Sequence, residues 1–115
     1  MFDFQNLTVY KKSKEFHSEM KQLLLKNKLE KTVTDQLSRA SFSIVLNIAE
    51  GSGRFSKPDR RNFFVISRSS VFECVAILDV LKDEKHIEID QFEEYLSKAD
   101  ELSRILYSMI KNLSN

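Results

Sequence analysis

The chain has 115 residues and 13.5 kDa, with 42% hydrophobic and 30% charged residues, which fits one domain with a core that needs no disulfides. Two glycines and one proline are too few for a β-sandwich or barrel, which needs turn residues every ten positions or so. Apolar runs such as Phe63-Phe64-Val65-Ile66 stop far short of the about 20 residues of a membrane span, so no membrane partner is expected.

The net charge of +1 hides an asymmetry. Residues 1–70 hold 13 Lys/Arg against 7 Asp/Glu, and residues 71–115 hold 5 against 10. A basic surface that meets phosphates is one reading of that split, and basic helices solvated beside acidic ones is the plainer one. The opening Met1-Phe2-Asp3-Phe4-Gln5-Asn6 has neither a basic nor an apolar leader segment, and a lone Cys74 leaves no disulfide framework. The expectation is a cytoplasmic protein.

The first helix is predicted over about 6–26, with Leu7, Tyr10, Phe16, Met20, Leu23 and Leu24 in an amphipathic pattern and Asn6 as its N-cap. The second covers about 32–50. Thr32 is its expected cap, Asp35 its first-turn acid, and Val33, Leu37, Ala40, Ile44 and Ile48 its buried stripe. Gly51 is expected to end it in the left-handed conformation. The stretch Gly51-Ser52-Gly53-Arg54-Phe55-Ser56 is then the one structured loop.

Ser56, Pro58 and Asp59 read as a cap, a first-turn proline and a first-turn acid, opening a third helix over about 57–82. Its apolar residues fall on three faces. One carries Phe63, Ile66, Cys74, Ile77 and Leu81, another Phe64, Val71, Val75 and Leu78, and the last Val65, Phe72, Ala76 and Val80. A helix apolar nearly all round must be buried nearly all round, so part of it is expected in a subunit interface. The fourth helix, about 90–113 with Asp90 and Glu93 as its cap, spaces Phe92, Tyr95, Ala99, Leu102, Leu106, Met109 and Leu113 by threes and fours. The expected fold is all-α, a single-domain up-down antiparallel four-helix bundle over residues 1–115.

Catalytic and cofactor signatures are missing. Neither His17 nor His86 has a Glu three residues before it, so a di-iron bundle is excluded. One Cys and two distant His make no zinc site, and Gly51-Ser52-Gly53 lacks the context of a phosphate loop. Cys74 lies in an apolar stripe and reads as a small hydrophobe. The expectation is no enzyme, no metal and no cofactor.

One constellation is unusual. Ser43, Asn47 and Glu50 share a face at i, i+4 and i+7, and Glu50 sits in a last turn that disfavours negative charge. Arg54 is the nearest compensating cation, and helix three offers Arg68, Ser70 and Glu73. These seven residues read as a structural polar network between helices two and three. The functional alternative makes the Arg54 loop an anion-binding site.

The run Gln36-Leu37-Ser38-Arg39-Ala40-Ser41-Phe42-Ser43-Ile44, then Asn47-Ile48-Ala49-Glu50-Gly51-Ser52-Gly53-Arg54, resembles the signature of the four-helix-bundle proteins encoded in 23S ribosomal RNA intervening sequences. The likeness extends to Phe63 through Glu73 and back to Phe4-Gln5-Asn6-Leu7-Thr8-Val9. Ser69 departs from it, standing where the family usually has glycine. The resemblance implies an up-down bundle in a homo-oligomeric ring, commonly a pentamer. It also implies kinship with the RNA-binding accessory protein of diversity-generating retroelements, and it carries no established activity.

Two functions follow as expectations. One is a nucleic-acid-binding ring whose phosphate contacts are Lys11, Lys12, Lys14, Lys21, Arg54, Lys57, Arg60 and Arg61, with RNA as the partner. The other is a protein-interaction scaffold that uses the apolar excess of helix three and the acidic second half.

Overall fold

The computed structural model describes residues 2–114; Met1 and Asn115 lie outside it. A short 3-10 turn, Asp3–Asn6, leads into α1 (Thr8–Lys26), α2 (Lys31–Ser52), α3 (Lys57–Asp83) and α4 (Ile89–Asn112). Helices adjacent in sequence pack side by side and α1 closes the ring onto α4, while the backbones of the diagonal pairs stay farther apart among the described residues. Connections of four or five residues force each helix to reverse on the one before, which makes the up-down antiparallel four-helix bundle. The molecule measures 44 × 25 × 22 Å, its length that of α3 at about 1.5 Å per residue.

The core comes from one seam per helix. Val9, Ser13, Phe16, Met20 and Leu23 line α1, and Leu37, Ser41, Ile44, Ile48 and Gly51 line α2. Phe64, Ser67, Val71, Cys74, Leu78 and Leu81 line α3, and Phe92, Tyr95, Ala99, Leu102 and Leu106 line α4. Every seam steps by threes and fours, the spacing that keeps helix axes nearly parallel over their whole length. Small residues in the seams let helices approach: Ser67 Oγ, fully buried, donates to the Ile44 carbonyl across the α2–α3 contact at 2.9 Å.

Several predicted boundaries are corrected. Asn6 does not cap α1; it closes the 3-10 turn, and α1 begins after Leu7 with no side-chain cap. The α1 seam takes Val9 and leaves Leu7 exposed. Thr32 lies inside α2, which starts after Glu30, and Asp35 instead accepts an ion pair from Lys31 at 2.6 Å. Asp90 sits in the first turn of α4 rather than at its cap, which is Glu88. The caps of α2 and α4 thus lie two residues before the expected ones, and that of α1 one residue after.

Gly51 is the instructive departure. It is helical and buried, α2 runs on to Ser52, and neither glycine has a positive φ. A Cβ there would stand 2.7 Å from the Phe64 ring and 3.0 Å from Phe63 Cβ. Glycine serves the closest approach of α2 to α3, not a turn. The left-handed terminator lies elsewhere, at Lys85 (φ 64°) after α3. There Lys85 N–H donates to the Lys82 carbonyl and His86 N–H to that of Leu81, the two bonds of a Schellman motif. The α3 start matches its prediction, with Ser56 Oγ accepting the Asp59 N–H at 3.2 Å and Pro58 in the first turn.

Outward, α3 keeps Ile66, Phe72, Ala76 and Val80 exposed around Glu73, and Tyr107 of α4 is exposed beside them. Ser69 is also exposed on that face, so the residue that departs from the family pattern has room. No helix among the described residues is long and apolar enough to cross a membrane.

Candidate functional site

The antiparallel fold gathers four chain segments at one end of the bundle: the start of α1, the end of α2 with the following loop, the start of α3, and the end of α4. Residues 2–14, 46–64 and 106–114 at this end carry eight Lys/Arg, namely Lys11, Lys12, Lys14, Arg54, Lys57, Arg60, Arg61 and Lys111, against Asp3, Glu50 and Asp59. Residues 20–35 and 78–95, at the opposite end, carry six Lys/Arg against nine Asp/Glu. The asymmetry between chain halves therefore becomes a polarity along the bundle axis. Like charges pooled on one end raise the local potential far more than the total of +1 implies.

The cations at this end are held differently. Arg54 lies over the Phe63 ring at 4.5 Å and 3.7 Å from Glu50, with about half of its side chain in solvent. Arg61 Nε donates to Ser114 Oγ at 2.9 Å, which ties the start of α3 to the end of α4. Lys14 covers the Tyr10 ring, and Lys12 pairs with Glu101 of α4 at 3.2 Å. Lys11 and Lys57 are exposed and make no ion pair among the described residues. Arg60 lines a cleft of about 560 Å³ with Phe2, Phe4, Leu7, Ala49 and Ser52, and its Nε is buried without a hydrogen-bond partner.

Lys21, the eighth predicted contact, is not at this end. It lies farther along α1 in a separate cleft with His17, Asp35, Ser38, Arg39 and Phe42. His17 Nδ1 sits 2.7 Å from Ser41 Oγ, and its ring stacks on Phe42. Burial, with Lys21 nearby as a second cause, pushes the His17 pKa below the usual 6.5. The neutral imidazole is therefore favoured in the fold.

Of the seven residues read as one polar network, three meet. Asn47 Nδ2 donates to the Ser43 carbonyl and, at 3.0 Å, to Ser43 Oγ, which also lies 2.9 Å from Ser70 Oγ across the helix contact. Glu50 and Arg54 form a separate pair in the open. Arg68 turns to α4, donating to the Ser103 carbonyl at 3.2 Å and lying over Phe72 and Tyr107. Glu73 is exposed on α3 with no ion pair among the described residues.

Chemistry elsewhere is sparse. Cys74 is fully buried, and desolvation, with Glu73 as a lesser cause, pushes its thiol up to about 12, so it is a thiol and not a thiolate at neutral pH. Among the described residues no three of His, Cys, Asp or Glu gather as metal ligands.

Two residues of the basic end were missed from the sequence. Lys111 stands 50 positions after Arg61 and joins it only through the return of α4. Phe55 was legible in principle, since an aromatic between Arg54 and Ser56 in a glycine loop has nothing local to pack on.

Known proteins resemble this chain over nearly all its length. A solved structure of a protein with unknown function from the S23 ribosomal protein family of Bacteroides thetaiotaomicron VPI-5482 superposes with a TM-score of 0.84 and 27% identity, covering 90% of this chain and 99% of that one. No curated protein matches. The model of the 23S rRNA-intervening sequence protein family matches residues 5–108, which include the helical signature, the loop and the α3 face described above. The chain belongs to the 23S rRNA-intervening sequence protein family.

Proposed function

We propose that the protein is a non-catalytic, cytoplasmic homo-oligomer that binds RNA through the basic end of its bundle. The pooling of eight cations against three carboxylates at that end carries the reading. Neutralising phosphates releases counterions, so several modest contacts sum to useful affinity. In a closed ring each subunit repeats the patch, and avidity grows without new contacts. A pentamer is the ring we favour, from the family resemblance, with the exposed Phe72, Ala76 and Val80 of α3 as the apolar surface for subunit packing.

Lys11, Lys12, Lys14, Arg54, Lys57, Arg60 and Arg61 take the phosphates, and Lys21 joins only an RNA that continues along α1. The non-catalytic part of the reading is supported by the disposition of the polar groups. Asn47 is engaged by Ser43, Glu50 and Arg54 pair in the open, and Cys74 is sealed in the core.

The test is molar mass by light scattering on a sizing column, with and without a pool of short RNAs, at low and moderate salt. A ring that takes up RNA, releases it as salt rises, and loses it in a Lys57→Glu/Arg61→Glu variant supports the proposal. A second reading, a protein scaffold, is favoured by the cleft of about 360 Å³ between α2 and α3, lined by Leu29, Val33, Ile77, Val80 and Leu81 and edged by Glu30 and Glu84. A ring indifferent to RNA at low salt would point there.

A further inference from the structure

Phe55 is the most exposed large hydrophobic residue of the described chain, 104% accessible where the next, Leu25, is 85%. It is not on a loose segment. Gly53 N–H donates to the Glu50 carbonyl and Arg54 N–H to that of Gly51 on one side, and Ser56 caps α3 on the other. The ring is thus held out from a loop pinned at both ends.

Cations outnumber carboxylates around it, four against Glu50 and Asp59. Arg54 precedes it, Lys57 follows two residues on, and Arg60 and Arg61 are one turn up α3. Arg54 presents a second planar group, since its guanidinium is backed on one face by the Phe63 ring. The adjoining cleft adds Phe2 and Phe4 beside Arg60, with Asp3 between them.

Flat apolar faces interleaved with cations suit a ligand with flat apolar groups interleaved with anions. A nucleic-acid strand has that pattern only where its bases are unstacked. A duplex hides its bases, and the deep, narrow major groove of A-form RNA does not admit a loop such as this. Phosphate contacts alone would need the cations but not a phenyl ring held in water.

We propose that the Arg54–Lys57 loop is a site for single-stranded RNA, with Phe55 stacking on an unpaired base while Arg54, Lys57 and Arg61 hold the flanking phosphates. This rests on the basic end being the RNA surface and narrows its ligand to unpaired strands. Stacking on an aromatic side chain tolerates any base, so the site distinguishes strandedness rather than sequence.

The experiment compares the full-length wild type with Phe55→Ala and Phe55→Trp by fluorescence anisotropy. The probes are a short labelled unpaired RNA and a labelled blunt duplex of the same composition. The chain has no tryptophan, so Phe55→Trp places the only indole at the loop tip. Phe55→Ala is expected to weaken unpaired RNA about tenfold and leave the duplex unchanged. Phe55→Trp is expected to retain binding, with its emission quenched by the unpaired strand alone.

Wild-type affinity for unpaired RNA in Phe55→Ala, or an equal loss on both probes, overturns the stacking site and leaves the basic-end reading standing. A change of molar mass in Phe55→Ala also overturns it, because the ring would then be a protein contact. A wild type that binds neither probe at low salt removes both proposals together.

Discussion

Alanine at Gly51 tests the packing argument directly, because at a helical glycine with room for a Cβ alanine stabilises, whereas at a close helix approach it destabilises. A Cβ at this position lies 2.7 Å from Phe64 Cε1, 2.9 Å from Cδ1 and 3.0 Å from Phe63 Cβ. Carbon atoms rest at about 3.5–4.0 Å, so the ring must retreat by most of an ångström. Phe64 is among the largest fully buried side chains, and Phe63 Cβ moves only with the α3 backbone. Overpacking of this kind costs about 1–3 kcal/mol, and the higher helix propensity of alanine returns at most about 1 kcal/mol. With neither neighbour free to yield, the overpacking lies in the upper part of that range, about 2–3 kcal/mol, and the expected net loss is about 1–2 kcal/mol, which for a chain of this length lowers Tm by about 4–8 °C. Thermal and urea denaturation at one fixed protein concentration measure it, since assembly makes Tm depend on concentration. Gly53→Ala is the control. Its Cβ meets only the Glu50 and Ala49 carbonyl oxygens at 3.6 and 3.9 Å, and its φ is −89°, so it should be neutral or slightly stabilising. A Gly51→Ala variant as stable as wild type would refute the close approach as the reason for glycine. Relief of the loss by adding Phe64→Leu, beyond the sum of the single effects, would locate the strain at the ring.

Three further outcomes are expected. Cys74 should resist thiol reagents in the native state and react on unfolding; because its folded pKa is raised from 9.0 to about 12, stability present below pH 9 should be lost progressively as pH rises toward 12, and Cys74→Ala should remove that loss in urea titrations. His17 has the opposite sign: its folded pKa lies below 6.5, so stability present above pH 6.5 should fall as pH drops below the unfolded value toward the lower folded one, and His17→Gln should flatten that decline in denaturation followed against pH. Lys85→Gly relieves a left-handed residue at the end of α3, and calorimetry should show a gain of up to about 1 kcal/mol; a loss would show that the lysine side chain contributes more than its backbone costs.

What the sequence by itself determined follows from local physics. Capping and first-turn preferences act over three or four residues, so Ser56, Pro58 and Asp59 marked the start of α3 correctly. The spacing of Phe92 through Leu106 determined the buried seam of α4 for the same reason, since periodicity is a property of one helix alone. The signature around Asn47-Ile48-Ala49-Glu50-Gly51 marked the family. The tertiary structure decided whatever depends on two segments distant in sequence. Gly51 looked like a terminator because its neighbour Phe64, thirteen residues on, comes beside it only when α3 folds back. None of the three apolar faces of α3 is the buried one as drawn from the sequence: packing against α2 and α4 takes Phe64, Val71 and Leu78 from one face and Cys74 and Leu81 from another. The seven-residue polar network separated because Arg68 finds the Ser103 carbonyl on α4 instead. The basic end exists because the antiparallel arrangement brings the start of α1, the loop after α2 and the end of α4 to one place, so charges spread over a hundred residues of chain act as a single surface.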